Sequence, residues 1–106
     1  MSLDRFQPET QSIAVCAPEA AAFLKALSHE GRLMILCHLA ERERSVTELE
    51  RLLGSRQAAV SQQLARLRLE GLVSTRRDGK TIIYAIQDPK VLETIRLLQG
   101  LYPDAA

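Results

Sequence analysis

The tightest constraint on this chain lies between Ser45 and Gly79, where helix-ending and strand-turning residues follow one another at short intervals. Ser45-Val46-Thr47-Glu48 has the form of a capping box, in which the serine hydroxyl accepts the Glu48 amide and the glutamate reaches back to the cap. A short helix through Leu52 is expected to start there. Gly54 suits a helix C-cap because it enters the left-handed region at little steric cost, and Ser55 can open the next helix. The spacing therefore predicts helix, tight turn, helix. In the second helix, roughly 56 to 69, Val60, Leu64 and Leu67 share a face that asks for burial. Ala58, Ser61, Gln62, Ala65 and Arg68 share another, small and polar, that asks for no core. Gly71 ends the helix. The stretches on either side of Asp78-Gly79 then read as two strands around a turn, since both residues of that dipeptide tolerate positive φ.

The flanks are helical by pattern. Residues 1–12 read as a loose, flexible leader, and residues 13–106 as one domain. Ile13, Cys16, Ala20, Leu24 and Leu27 recur at three- and four-residue steps, with Pro18 expected to open the first robust helix and Cys16 in a kinked turn or just outside it. Leu33, Leu36, Cys37 and Ala40 form a second stripe, capped by Ser28 and opened by His29 and Glu30; Glu41-Arg42-Glu43-Arg44 marks its polar end. Asp88 is placed to cap a last helix opened by Pro89, with Val91, Ile95, Leu98 and Tyr102 as its apolar row. That helix is too short to be stable alone and needs the core or a second subunit. Tyr84 and Tyr102 read as packing groups with a polar tip.

Charge sharpens this outline. The 106 residues carry 14 Lys and Arg against 13 Asp and Glu, a net +1 that would argue against a polybasic binder. Residues 51 to 80, however, hold Arg51, Arg56, Arg66, Arg68, Arg76, Arg77 and Lys80 against Glu70 and Asp78, giving +5 there and −4 elsewhere. A phosphate backbone is the commonest partner for so concentrated a face, the alternative being a solvated helix surface. At 46% apolar and 25% charged residues, with no apolar run near the roughly 20 residues of a membrane span, the balance is that of a soluble globular domain. No export signal is legible at the N-terminus and two cysteines are too few for a disulfide scaffold, so a cytoplasmic protein with reduced thiols is expected. Without a Gly-rich phosphate loop, a usefully spaced carboxylate pair or a nucleophile with its base, neither an enzyme nor a cofactor is expected.

A helix-turn-helix followed at once by a basic hairpin is the order of a winged helix-turn-helix domain, mainly α with one β-hairpin. Its second helix enters the major groove and its hairpin flanks the phosphates or minor groove. The residues expected to meet double-stranded DNA are Ser55, Arg56, Gln57, Ser61, Gln62 and Arg68 on the helix, and Arg76, Arg77, Lys80 and Thr81 on the hairpin. A winged-helix module that binds another protein is the competing function, separable by the salt dependence of duplex binding.

The segments LKALSHEGRLMILCHL, SVTELERLLGSRQAAVSQQLARLRLEGLV and TRRDGKTIIYAI resemble the ArsR/SmtB family of bacterial repressors, from about Ala20 to Tyr102. The resemblance implies a homodimer paired through its first and last helices, an inverted-repeat operator, and release when an inducer alters the dimer. Family members that bind arsenic use a Cys-x-Cys pair near the first helix of the motif, yet Thr47 to Glu50 contain no thiol. Members that bind zinc use Asp and His pairs on the last helix, whereas no histidine follows His38. No metal site is therefore expected, with a metal- or metalloid-responsive set of Cys16, Cys37 and His29 or His38 as the alternative. RLMILCHL resembles the thiol-based, BigR- and HlyU-like branch, which answers to persulfide or oxidants. That branch pairs a cysteine at the position of Cys37 with one after a Leu-Tyr-like pair at the end of the last helix. Here Leu101-Tyr102 is followed by Pro103. The resemblance thus leaves three roles for Cys37: partner of Cys16, if their Cα atoms lie within about 7 Å; a thiol reacting alone, if its pKa is depressed; or a small core hydrophobe.

Overall fold

The computed structural model describes residues 7–54 and 57–103. Its elements are α1 (Gln7–Leu27), α2 (Glu30–Glu41), β1 (Arg44–Ser45), α3 (Val46–Leu53), α4 (Gln57–Leu69), β2 (Val73–Asp78), β3 (Thr81–Ile86) and α5 (Pro89–Leu101). The strands form one antiparallel sheet in the order β1-β3-β2, so the winged helix-turn-helix outline of the sequence is the observed fold.

The central motif follows its local chemistry. Ser45 Oγ accepts the Glu48 amide and Glu48 Oε1 accepts the Ser45 amide, both at 3.2 Å, so the capping box is complete. Gly54 closes α3 at φ 64° and Gly71 follows α4 at φ 76°, a region that side chains with a Cβ avoid. Val60, Leu64 and Leu67 are buried against Ile35, Leu36 and Leu39 of α2, Leu49 of α3, and Val91 and Ile95 of α5. Leu72 ties the hairpin to α4: its amide donates to the Leu67 carbonyl, and its own carbonyl accepts the amides of Gln87 and Asp88. Both ends of the hairpin thus meet at one residue.

Several local expectations are corrected. The first helix begins at Gln7, inside the stretch read as a leader, and runs through Pro18 without a break. Proline removes one donor and crowds the carbonyl four residues back, but that carbonyl belongs to Ala14, an exposed residue that water can serve. The row on α1 is not a core stripe of this chain. Only Leu27 of the expected five is buried, joined by Ala26 and partly by Phe23, while Ile13 is 61% and Val15 85% exposed.

Further along, α2 is capped by His29 rather than Ser28, because the extended His29 turns Nδ1 onto the Arg32 amide at 3.3 Å. Asp78 stays in the ladder opposite Thr81, leaving Gly79 and Lys80 as the loop with positive φ at Gly79 alone. Asp88 and Pro89 open α5 as expected, and Val91 and Ile95 are fully buried. Tyr102, expected to pack, is 73% exposed, because α5 turns only its first two apolar turns toward the core. Strand β1 was not anticipated: two residues carry no periodicity, and Arg44 and Ser45 are recruited by Tyr84 and Ile83 of β3.

Candidate nucleic-acid interface

Helix α4 presents two unlike faces. Burial of Val60, Leu64 and Leu67 turns that row toward the core, and Ser61, Gln62, Ala65 and Arg68 consequently stand in solvent. Gln57 opens the helix, whereas Ser55 and Arg56 lie outside the described residues. The exposed side chains are short or polar, so backbone and side chains can approach base edges closely. Arg76, Arg77, Lys80 and Thr81 are all exposed around the tip of the β2–β3 hairpin. Arg68, Arg77 and Lys80 make no ion pair among the described residues, so their charge is available to an external anion. Arg76 differs. Its guanidinium is held by the Glu43 carboxylate, which that hydrogen bond keeps below the usual carboxylate range.

The junction that aims the motif is polar and was not singled out in the sequence. Arg44 is only 8% exposed. Its Nε donates to the His38 carbonyl at 3.1 Å and its Nη2 pairs with Glu41 at 3.2 Å, so it closes the C-terminal end of α2. Its Nη1 lies 4.0 Å from Glu48, which also receives Arg42 at 2.9 Å. One guanidinium therefore links the end of α2 to the capping box of α3. The available signal was an arginine set directly before that box.

The two thiols sit in different settings. Cys37 on α2 packs partly against the core, and burial pushes its thiol above the ordinary range, with the Glu41 charge adding to the effect. That is opposite to the depressed pKa a lone reactive thiolate requires. Cys16 lies on the exposed half of α1, partly covered, its Sγ 3.6 Å from the Ile13 carbonyl. Both cysteines are free. Among the described residues no three His, Cys, Asp or Glu side chains gather as a metal site, and the alternative set of Cys16, Cys37 and a histidine is not assembled among them. No helix among those residues is long and apolar enough to cross a membrane.

Known proteins resemble this arrangement over most of its length. The family described as bacterial regulatory protein, arsR family, matches residues 29–75, from the cap of α2 into β2. The chain is 45% identical to the transcriptional activator HlyU of Vibrio cholerae over 87 residues, 82% of this chain and 81% of that protein. It is 48% identical to the biofilm growth-associated repressor of Agrobacterium fabrum over 86 residues, 81% of this chain and 71% of the relative. Among solved structures, the transcriptional repressor BigR from Xylella fastidiosa superposes with a TM-score of 0.84 at 41% identity, covering 88% of this chain and 95% of that one.

Proposed function

The chain belongs to the arsR family of bacterial regulatory proteins, DNA-binding transcriptional regulators and not enzymes, and from that premise we propose that it is a homodimeric repressor acting on an inverted-repeat operator in the cytoplasm. The single observation that carries this reading is the exposed, small-sided face of α4 beside an exposed basic hairpin. In it, Ser55, Arg56, Gln57, Ser61, Gln62 and Arg68 meet base edges and nearby phosphates, while Arg76, Arg77, Lys80 and Thr81 flank them. Association through α1 and α5 is supported by the apolar rows those helices leave uncovered, Ile13 and Leu24 on one and Leu97 and Leu101 on the other. A twofold dimer would set its two α4 helices about one DNA turn, roughly 34 Å, apart. Repression rather than activation is favoured by the repressors among the relatives, which include the biofilm growth-associated repressors, BigR and PagR, set against the activator HlyU.

Release follows modification of Cys37, alone or with Cys16, by an oxidant or a reactive sulfur species, a reaction that the raised pKa of the Cys37 thiol slows at neutral pH. Support comes from two free thiols, Cys16 on α1, which carries one uncovered apolar row, and Cys37 on α2, which packs against α1 and α5. The deciding experiment has two parts. Duplex binding is measured across salt concentrations, where a repressor loses affinity steeply as counterions are released and a protein-binding module stays weak and flat. Mass spectrometry after oxidant or persulfide treatment then distinguishes a Cys16–Cys37 bridge, an inserted sulfur chain, modified Cys37 alone, and no reaction. No reaction at either thiol, with operator binding unchanged, would remove the thiol signal.

A further inference from the structure

We infer that Arg32 is a positioning residue for operator reading, fixing α4 to the C-terminal turn of α1 through Gln63; this rests on the proposed role of α4 as the operator-facing helix. Arg32 stands on the first turns of α2 and directs all three of its guanidinium nitrogens at protein acceptors. Nε donates to the Ala26 carbonyl at 2.6 Å, Nη2 to the Lys25 carbonyl at 3.4 Å, and Nη1 to Gln63 Oε1 at 3.0 Å. Lys25 and Ala26 belong to the last turn of α1; the Lys25 carbonyl also accepts the Ser28 amide at 3.2 Å, and that of Ala26 has no amide of its own helix to accept. A cation there also has the favourable sign for the helix end. Gln63 follows Gln62 on α4 but is turned off the exposed face and half-buried.

The joint is three-sided. The Gln63 amide nitrogen lies 3.4 Å from His29 Nε2, and His29 Nδ1 faces the Arg32 amide. A neutral imidazole cannot accept at both nitrogens, so its two contacts are alternatives that exchange with the tautomer. Arg32 is the member that needs no such choice. Gly31 makes room beneath: a Cβ there would stand 3.0 Å from His29 Cε1 and 3.9 Å from Gln63 Cγ.

The apolar contacts between α2 and α4 drive their packing without prescribing direction. Small rotations of α4 about its axis leave such contacts nearly intact while swinging Ser61 and Gln62 across base edges. A planar guanidinium bonded to Gln63 and to two α1 carbonyls prescribes that rotation. Helix α1 also carries Cys16 and the uncovered apolar row, so a displacement of α1 reaches α4 through this link.

The test uses the full chain and a duplex selected by the wild-type protein from a randomised pool, with a shuffled duplex as the non-specific reference. Gln63→Ala and Arg32→Met are each expected to lower the ratio of selected to shuffled affinity by about tenfold, the scale of one hydrogen bond to a charged group. The salt slope, which counts phosphates, should stay unchanged. The double variant should be no worse than the poorer single one, because both break the same link. Arg32→Lys keeps the charge at the end of α1 but lacks the fork, so it should retain thermal stability and still lose the preference. Gln63→Ala alters a partly exposed site and keeps the test open should Arg32→Met fail to fold. Full preference in Gln63→Ala, additive losses in the double variant, or equal losses on both duplexes would overturn the link. A wild type that selects no duplex would instead overturn the proposed function beneath it.

Discussion

Glu43, in the loop between α2 and β1, holds both Nε and Nη2 of Arg76 on β2, the former at 3.3 Å. A hairpin cation proposed to meet a phosphate is thus already matched by a carboxylate of its own chain. Both partners are about half exposed, so the pair is weak and a phosphate can displace the carboxylate. Glu43→Gln should therefore strengthen binding to any duplex by a few-fold and steepen the dependence of log affinity on log salt by about one unit. Fluorescence anisotropy titrations at several salt concentrations measure both. An unchanged slope would take Arg76 out of the phosphate contacts.

The Cys37 thiol is lifted above its ordinary range by burial first and by Glu41 second. The neutral thiol therefore predominates at pH 7, and the nucleophilic thiolate grows about tenfold per pH unit until the raised pKa is reached. Alkylation of Cys37, followed by mass spectrometry between pH 7 and 10, should show that climb. Glu41→Gln should shift the curve to lower pH. A rate already level at pH 7 would mean a thiolate stabilised by a group that does not face Cys37 in this structure.

Acid stability is expected to follow three carboxylates. Asp88 accepts the Lys90 amide at 2.9 Å, Glu48 accepts the Ser45 amide, and Glu43 accepts Arg76; each is held below its ordinary pKa by that bond. A depressed folded pKa gives stabilisation that is complete above the unfolded value and lost as pH falls through the folded one. Thermal denaturation should thus be level between about pH 5 and 8 and decline below about pH 4. Ser45→Ala, which removes one half of the capping box, should cost about 1 kcal/mol at neutral pH.

Dimerisation can be tested at residues the folded chain does not use. Ile13 and Leu101 are both mostly exposed, and an aspartate at either leaves the core intact. Ile13→Asp and Leu101→Asp should convert a dimer to a monomer in sedimentation velocity, with normal helical content and strongly reduced operator affinity. A dimer that persists in both variants would move the interface away from α1 and α5.

Features governed by near neighbours were legible in the sequence. The Ser45–Glu48 box, the left-handed Gly54 and Gly71, the Asp88 cap and the Val60–Leu64–Leu67 row each depend on residues within one or two turns, and each stands as expected. Where distant groups compete, the pattern was silent. Nothing near Ser28 reveals that His29 takes the cap, and the exposure of Ala14 that accommodates Pro18 is a property of the assembled chain. Arg76 meets Glu43 across 33 positions and Arg32 meets Gln63 across 31, separations at which the sequence carries composition but no register. The +5 segment was visible, while the carboxylate that engages one of its members was not.

The hairpin is anchored at both ends to Leu72, and this makes it a lever. Six residues of strand reach about 20 Å from that base to the tip at Lys80, at roughly 3.3 Å per residue. A tilt of about 10° at Leu72 carries the tip some 3.5 Å, well beyond the few tenths of an ångström over which a hydrogen bond keeps its strength. Leu72 itself is bonded to Leu67 at the end of α4, so the fulcrum travels with that helix. Displacements at the fulcrum too small to disturb the packing of α4 are large enough at Lys80 to make or release a phosphate.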